Sequence, residues 1–324
     1  MPNVPTAFGY AIGPDRHAVV LGGKAFEAAH APAAGGYLWR HVQGDVAALR
    51  STLHGLQLDD SVVTALTAEE TRPRCTPHGA GAILVLRGVN LTEGAEPDDM
   101  ISLRLWVEAG QVVSCGVREL KALGDVTTMV EEGRAPLASA DMVAALVLRL
   151  ADRAEPIVAE LNEKLDSFDD ALAAQSMSET RRALAEIRQM ATGLRRYMFP
   201  QRDALTTFEV EAFDWVSREA LGQLREATDR LTRLCEELDA IRDRAQIVQD
   251  QVMDARAEQM NTQMFVLTIV SAFFLPIGFL TGLLGINVGG VPLSDSPNGF
   301  AITCGAIVAV LIAEYALFKK MKLF

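Results

Sequence analysis

Between Glu258 and Asp295 the sequence has no aspartate, glutamate, lysine or arginine. A stretch that long without a charge has nothing to hold it at a protein–water surface. Basic residues are also in short supply, 30 Lys+Arg against 42 Asp+Glu, for a formal net charge of -12. That balance argues against nucleic acid as a partner, because a phosphate backbone is held by an excess of Lys and Arg. An acidic surface concentrates cations instead. The four cysteines, Cys75, Cys115, Cys235 and Cys304, are far apart. This excludes a local CxxC zinc or redox pair, and they read as isolated thiols of a reducing compartment. The five histidines, His17, His30, His41, His54 and His78, make no HxH, HxxxH or HExxH spacing, so each reads as an isolated side chain rather than a zinc ligand. There is no nucleotide-binding glycine loop, nucleophile elbow or metal-hydrolase motif, so neither an enzyme, nor a bound cofactor, nor ATP as an energy source is expected. Met1–Tyr10 has no basic segment ahead of an apolar core, and no secretory signal is expected there.

The uncharged gap is filled by Met264–Ile286, MFVLTIVSAFFLPIGFLTGLLGI. It is long enough to cross the roughly 30 Å of a bilayer core. After a turn-rich loop, a second apolar run covers Phe300–Phe318 with one acid, Glu314. A buried hairpin in a soluble protein would need an unusually large apolar core, so two transmembrane helices are predicted. Lys319, Lys320 and Lys322 follow the second run and mark that side as cytoplasmic. Two spans return the chain to the side it left, which makes the N-terminal part cytoplasmic as well. The nearness of Glu314 to Lys319 favours an interfacial anchor over a part in proton coupling.

The remainder has two textures. Short β-like runs appear at Ala7–Ile12, Ala18–Leu21, Tyr37–Val42, Ala82–Val89, Ile101–Glu108 and Gln111–Cys115. Helical patterns lie at Asp45–Leu56, Asp60–Leu66 and Gly124–Glu132, giving a mixed α/β domain. From Ser139 onward the chain reads as helix. One helix is predicted over Ala140–Ala174, interrupted by Pro156, and another from Ser178 to Met198, ended by Pro200. From Thr207 a single long helix is predicted to run into the membrane. Leu224, Leu231, Leu238, Ala245 and Val252 recur by sevens, with Leu234, Ile241, Val248 and Ala255 three residues after four of them. This is a packing seam with neighbouring chains around an axis, with the preceding helices of the same chain, or with both, one face used for each. The resulting division is an α/β domain (1–137), a helical hairpin region (138–205), a stalk helix (206–259), a first span (260–287), an outer loop (288–298), a second span (299–318) and a basic tail (319–324).

Along the first span Asn261, Met264, Thr268, Ser271, Leu275, Gly278 and Gly282 alternate by three and four, one stripe of a helix. Small and hydroxyl side chains in such a stripe either let helices approach closely or line a water-filled path. The seam leading into the span favours a pore on an oligomer axis. The acids Asp239, Asp243, Asp250, Asp254 and Glu258 just before it read as a solvated face taken singly, and together as an inner vestibule that gathers cations.

The span ends Gly285-Ile286-Asn287, followed by Val288-Gly289-Gly290-Val291-Pro292. A pair of C-terminal spans joined by a loop that begins Gly-x-Asn resembles the CorA-type two-span superfamily of divalent metal transporters. The central Ile and the Val-Gly-Gly-Val-Pro that follows resemble its zinc-transporting ZntB branch. The segment Leu194–Leu205, LRRYMFPQRDAL, is similar to the family's turn into its stalk helix. The resemblance implies an α+β cytoplasmic domain, a long stalk helix and two spans, assembled as a homopentameric funnel in a bacterial inner membrane. Five first spans would line the pore, with Gly285, Ile286 and Asn287 forming the selectivity mouth and Met264 and Leu275 its hydrophobic constrictions. A carboxamide ring can hold the water shell of a divalent ion and still release it. Gly278 stands where the magnesium branch commonly has a hydroxyl, so the expected cargo is zinc first, with cobalt, nickel, cadmium or magnesium behind it. Proton coupling is left open. The competing reading is a membrane-anchored scaffold whose α/β domain binds a ligand and whose spans only anchor it.

Overall fold

The computed structural model describes residues 6–32, 35–171, 177–211, 213–286, 288, 290–292 and 296–320. They fall into two compact units, Met1–Gln249 and Asp250–Phe324.

The first unit is built on a seven-stranded sheet. Its elements are β1 (Thr6–Ile12), β2 (Ala18–Val20), α1 (Lys24–Ala28), β3 (Tyr37–Gln43), α2 (Val46–Gly55), α3 (Asp60–Leu66), β4 (Arg74–His78), β5 (Gly81–Gly88), β6 (Ile101–Glu108), β7 (Gln111–Gly116) and α4 (Lys121–Glu131). The spatial order is β2-β1-β3-β7-β6-β5-β4. Among the described strands only β3 and β7 run parallel, with Trp39 opposite Val112 and His41 opposite Ser114. The central strands are buried on both faces, which is why they read as near-continuous apolar runs rather than alternating ones. One face packs Val42, Ile83, Trp106 and Val113 against Leu49 and Leu53 of α2 and Leu66 of α3. Asp45 caps α2 by accepting from the Ala48 amide at 2.8 Å, and Asp59 caps α3 through the Ser61 amide at 2.7 Å.

Two short elements fall outside the expected set, α1 and β4. β4 contains Pro77 and lies at the sheet's edge, where a residue without an amide hydrogen loses no ladder bond.

Three long helices follow, α5 (Ser139–Ala171), α6 (Met177–Val210) and α7 (Arg218–Leu284). Both prolines expected to break helices lie inside them, Pro156 in α5 and Pro200 in α6. In each case the carbonyl four residues back loses its donor. Pro156 is itself exposed, and the carbonyl that Pro200 strands belongs to exposed Arg196, so both prolines sit where solvent can reach the helix. The long helix therefore begins at Arg218, not at 206, and residues 206–210 complete α6. Within the first unit the seam is consumed by the chain itself. Leu224, Leu231, Leu238, Ile241, Ala245 and Val248 are buried, and the flanks of α7 are tied to α5 by Arg230–Asp152 at 2.5 Å and to α6 by Arg195–Asp239 at 2.6 Å. The intramolecular packing of the seam is thus the one realised.

The second unit contains the apolar end of α7 and α8 (Gly299–Lys320). Both helices are long and apolar enough to cross a membrane, and their apolar windows are unburied.

Candidate functional site: the polar stripe of α7

In the second unit α7 has one half-covered face, formed by Ile269, Ala272, Phe273, Pro276, Ile277 and Leu280. Phe273 meets Phe318 of α8 edge-on, with ring centroids 5.4 Å apart. The stripe Asn261, Met264, Thr268, Ser271, Leu275, Gly278 and Gly282 is exposed along its whole length. The two faces are offset by roughly 150° at 3.6 residues per turn, so the stripe points away from α8.

Local chemistry suits the stripe to water and cations. The Thr268 hydroxyl donates to the Met264 carbonyl at 2.7 Å. Its hydrogen is spent on the helix and its oxygen lone pair is left outward, an acceptor without a competing donor. A Cβ added at Gly278 or Gly282 would meet nothing within 4 Å, so the glycines keep the surface narrow without serving any packing inside this chain. Leu275 and Met264 are the bulky members of the stripe, at 73% and 55% exposure. Large apolar side chains left this bare mark a surface covered by lipid or by another chain.

α7 ends at Leu284, where the Gly285 amide closes the last turn on the Thr281 carbonyl at 2.9 Å. Gly285 and Ile286 lie just beyond the helix, exposed. Asn287 lies outside the described residues, as do Gly289 and Asp295 of the outer loop and Lys322 of the tail.

The acids before the span are not equivalent. Asp239 is shared by Arg195 at 2.6 Å and Arg242 at 3.2 Å, and Asp243 pairs with Arg242 at 2.7 Å. These two are partly neutralised within the chain, which weakens Asp243 as a vestibule acid. Asp254 and Glu258 are exposed on the second unit. The pairing was legible in part, since Asp239 and Arg242 stand three apart on one helix. Arg195, on α6, carried no such local signal.

The histidines do not gather. His41 is buried, His54 faces Asp60 at 3.6 Å and His78 faces Asp59 at 3.9 Å. Among the described residues no three His, Cys, Asp or Glu side chains are placed to hold a metal ion, and the four cysteines are free.

A family model described as CorA-like Mg2+ transporter protein matches residues 34–320. The chain belongs to that family. The "Divalent cation transporter CmaX" of Pseudomonas aeruginosa is 36% identical over 88% of this chain and 87% of its own. The "Zinc transport protein ZntB" of Pectobacterium atrosepticum is 34% identical over 87% and 86%. The structure of full-length CmaX superposes with a TM-score of 0.83 at 33% identity, covering 97% of both chains. The complete structure of the CorA magnesium transporter from Methanocaldococcus jannaschii superposes with a TM-score of 0.80 over 97% of both chains. At 15% identity that likeness speaks for the family's fold alone.

Proposed function

We propose that this family member carries divalent metal cations across a bacterial inner membrane, through a pore lined by the polar stripe of α7. The carrying observation is the stripe's direction. It is exposed, it carries the hydroxyls of Thr268 and Ser271 and the bare backbone of Gly278 and Gly282 beside Met264 and Leu275, and it faces away from the chain's own second span. A bare anchor has no use for such a face. One helix cannot enclose an ion path, so the stripe requires copies of itself around an axis, and a homopentamer with cytoplasmic N- and C-termini is the proposed assembly. Family membership and the names of the relatives, a divalent cation transporter and a zinc transport protein, support the same reading.

Zinc is the proposed cargo, with cobalt, nickel, cadmium and magnesium as weaker ones. Asn287 is proposed to hold the ion at the outer mouth through its water shell. Dehydrated zinc prefers nitrogen and sulfur ligands, and magnesium sheds water reluctantly. The sequence has no Cys or His between Cys235 and Cys304, so discrimination among small divalent ions is expected to be loose. The test is metal flux into liposomes containing the purified protein, with the ion and the pH gradient varied. Asn287→Ala is expected to abolish flux while the oligomer's mass in detergent stays unchanged. Parent-rate zinc flux in an intact Asn287→Ala oligomer would remove the mouth from the mechanism.

A further inference from the structure

Glu314 carries the only carboxyl of α8. Its Oε2 is buried, with no hydrogen-bond partner among the described residues. It shares the half-covered face of α8 with Thr303, Ile307, Leu311 and Phe318, the face whose Phe318 ring meets Phe273. Phe273 lies in the middle of the uncharged run of α7, and Glu314 is one turn further along α8 from the basic end than Phe318. The carboxyl therefore lies on the side of α8 that faces α7, one turn from the Phe273–Phe318 contact.

Among the described residues no charged side chain is paired with this group. The half-covered face of α7 opposite it has no ionisable side chain. On α8 the ionisable neighbours are Tyr315 beside it in sequence, Cys304 three turns away, and Lys319 and Lys320 at the end, all four exposed. A carboxyl inside a span marks a functional position by default, because its charge is costly there. The same stretch of α7 contains a backbone group in need of a donor. Pro276 has no amide hydrogen, so the Ala272 carbonyl lacks its helical partner. In hydrocarbon such a carbonyl takes a donor from a neighbouring helix or a buried water.

We propose that Glu314 is the proton-binding group of the membrane unit, acting on α7 through the seam between the two helices rather than from the ion path. Protonation forms one O–H bond on the carboxylate and breaks one in a hydronium ion of bulk water, and deprotonation reverses both. Protonated, Glu314 donates to the α7 backbone near Pro276 and holds the seam closed. Ionised, its buried Oε2 has no donor among the described residues, and the seam loosens. The stripe lies on the same rigid helix, so a change at the seam alters the pore lining. This inference rests on the transport reading above.

The experiment compares parent and Glu314→Gln, the neutral isostere, as intact oligomers in liposomes. Zinc flux is measured with the internal and external pH varied separately. The parent's flux is expected to depend on pH, and Glu314→Gln is expected to lose that dependence. A parent flux that ignores pH, or a Glu314→Gln flux with the parent's pH profile, overturns the proposal. Infrared difference spectra between acid and alkaline buffer give a second readout that needs no transport. A protonated-carboxyl band that titrates in the parent and is missing from Glu314→Gln supports proton binding at this residue, and an identical band in both overturns it. If the parent moves no metal at all, the transport reading fails, while the infrared comparison still decides whether Glu314 binds the proton.

Discussion

His41 lies beneath Phe8, ring centroids 5.1 Å apart, and its Nδ1 is 2.9 Å from the Ser114 hydroxyl. That hydroxyl donates to the Arg40 carbonyl at 3.2 Å and accepts from the Trp39 indole at 3.1 Å. With the hydrogen already given away, it accepts from His41 too, which makes Nδ1 the protonated nitrogen of a neutral ring. Burial depresses the imidazole from 6.5 to about 3. The unfolded chain therefore binds a proton that the folded one refuses between those values. The stability due to the neutral ring is fully present above about 6.5 and is lost as pH falls toward about 3, on the order of 5 kcal/mol at most. The full chain's thermal midpoint is expected to fall across that window, and His41→Gln should have a shallower acid limb. Ser114→Ala strands two buried donors and is expected to cost about 1–3 kcal/mol at neutral pH, read as a lower denaturation midpoint. That His41 has no ligand spacing around it was legible from the sequence. Its role as a buried neutral hub was not, because Ser114 reaches it only through the β3–β7 pairing.

Among the elements, those with a strong period were readable and those decided by solvent exposure were not. Six of the strands and the apolar runs of α7 and α8 carry their pattern in a handful of neighbouring residues. Pro156 and Pro200 were misread as breaks because the rule that proline ends a helix assumes a stranded carbonyl has no water, and here water is available. β4 was missed because Pro77 argues against a strand unless the strand is known to be an edge, which is a property of the sheet. The contact between α6 and the loop after β5 was equally hidden. A Cβ at Gly193 would lie 2.7 Å from the Cβ of Asp98, so the aspartate sits directly on the helix backbone. Gly193→Ala should destabilise the first unit by about 1–3 kcal/mol through overpacking. Adding Asp98→Gly removes that Cβ together with the carboxyl, and the double variant is expected to recover part of the midpoint lost by the single one. A double variant no better than Gly193→Ala would mean that the glycine serves some other contact.

For the whole molecule, the seam residues of the first unit are buried by the chain itself and do not by themselves call for an oligomer. The case passes to the uncovered stripe of the second unit, and native mass in detergent should return five copies. The charge argument also narrows. A net charge of -12 per chain is multiplied in any assembly, but what matters near a pore is charge that is close to it and unbalanced. Asp239 and Asp243 have arginines within 3.2 Å, so replacing either removes a pair rather than a bare charge. Asp254 and Glu258 are the exposed acids nearest the uncharged run of α7, and no ion pair involves them among the described residues. Asp254→Asn with Glu258→Gln is therefore expected to lower zinc flux severalfold at low ionic strength, while Asp243→Asn should change it little. The field of exposed charges is screened within about 8 Å at physiological salt and about 3 Å at 1 M. The loss in the double variant should accordingly shrink as salt rises. If it persists undiminished at 1 M, the two side chains touch the ion or hold the fold, and cation enrichment by the acidic surface is not how they act.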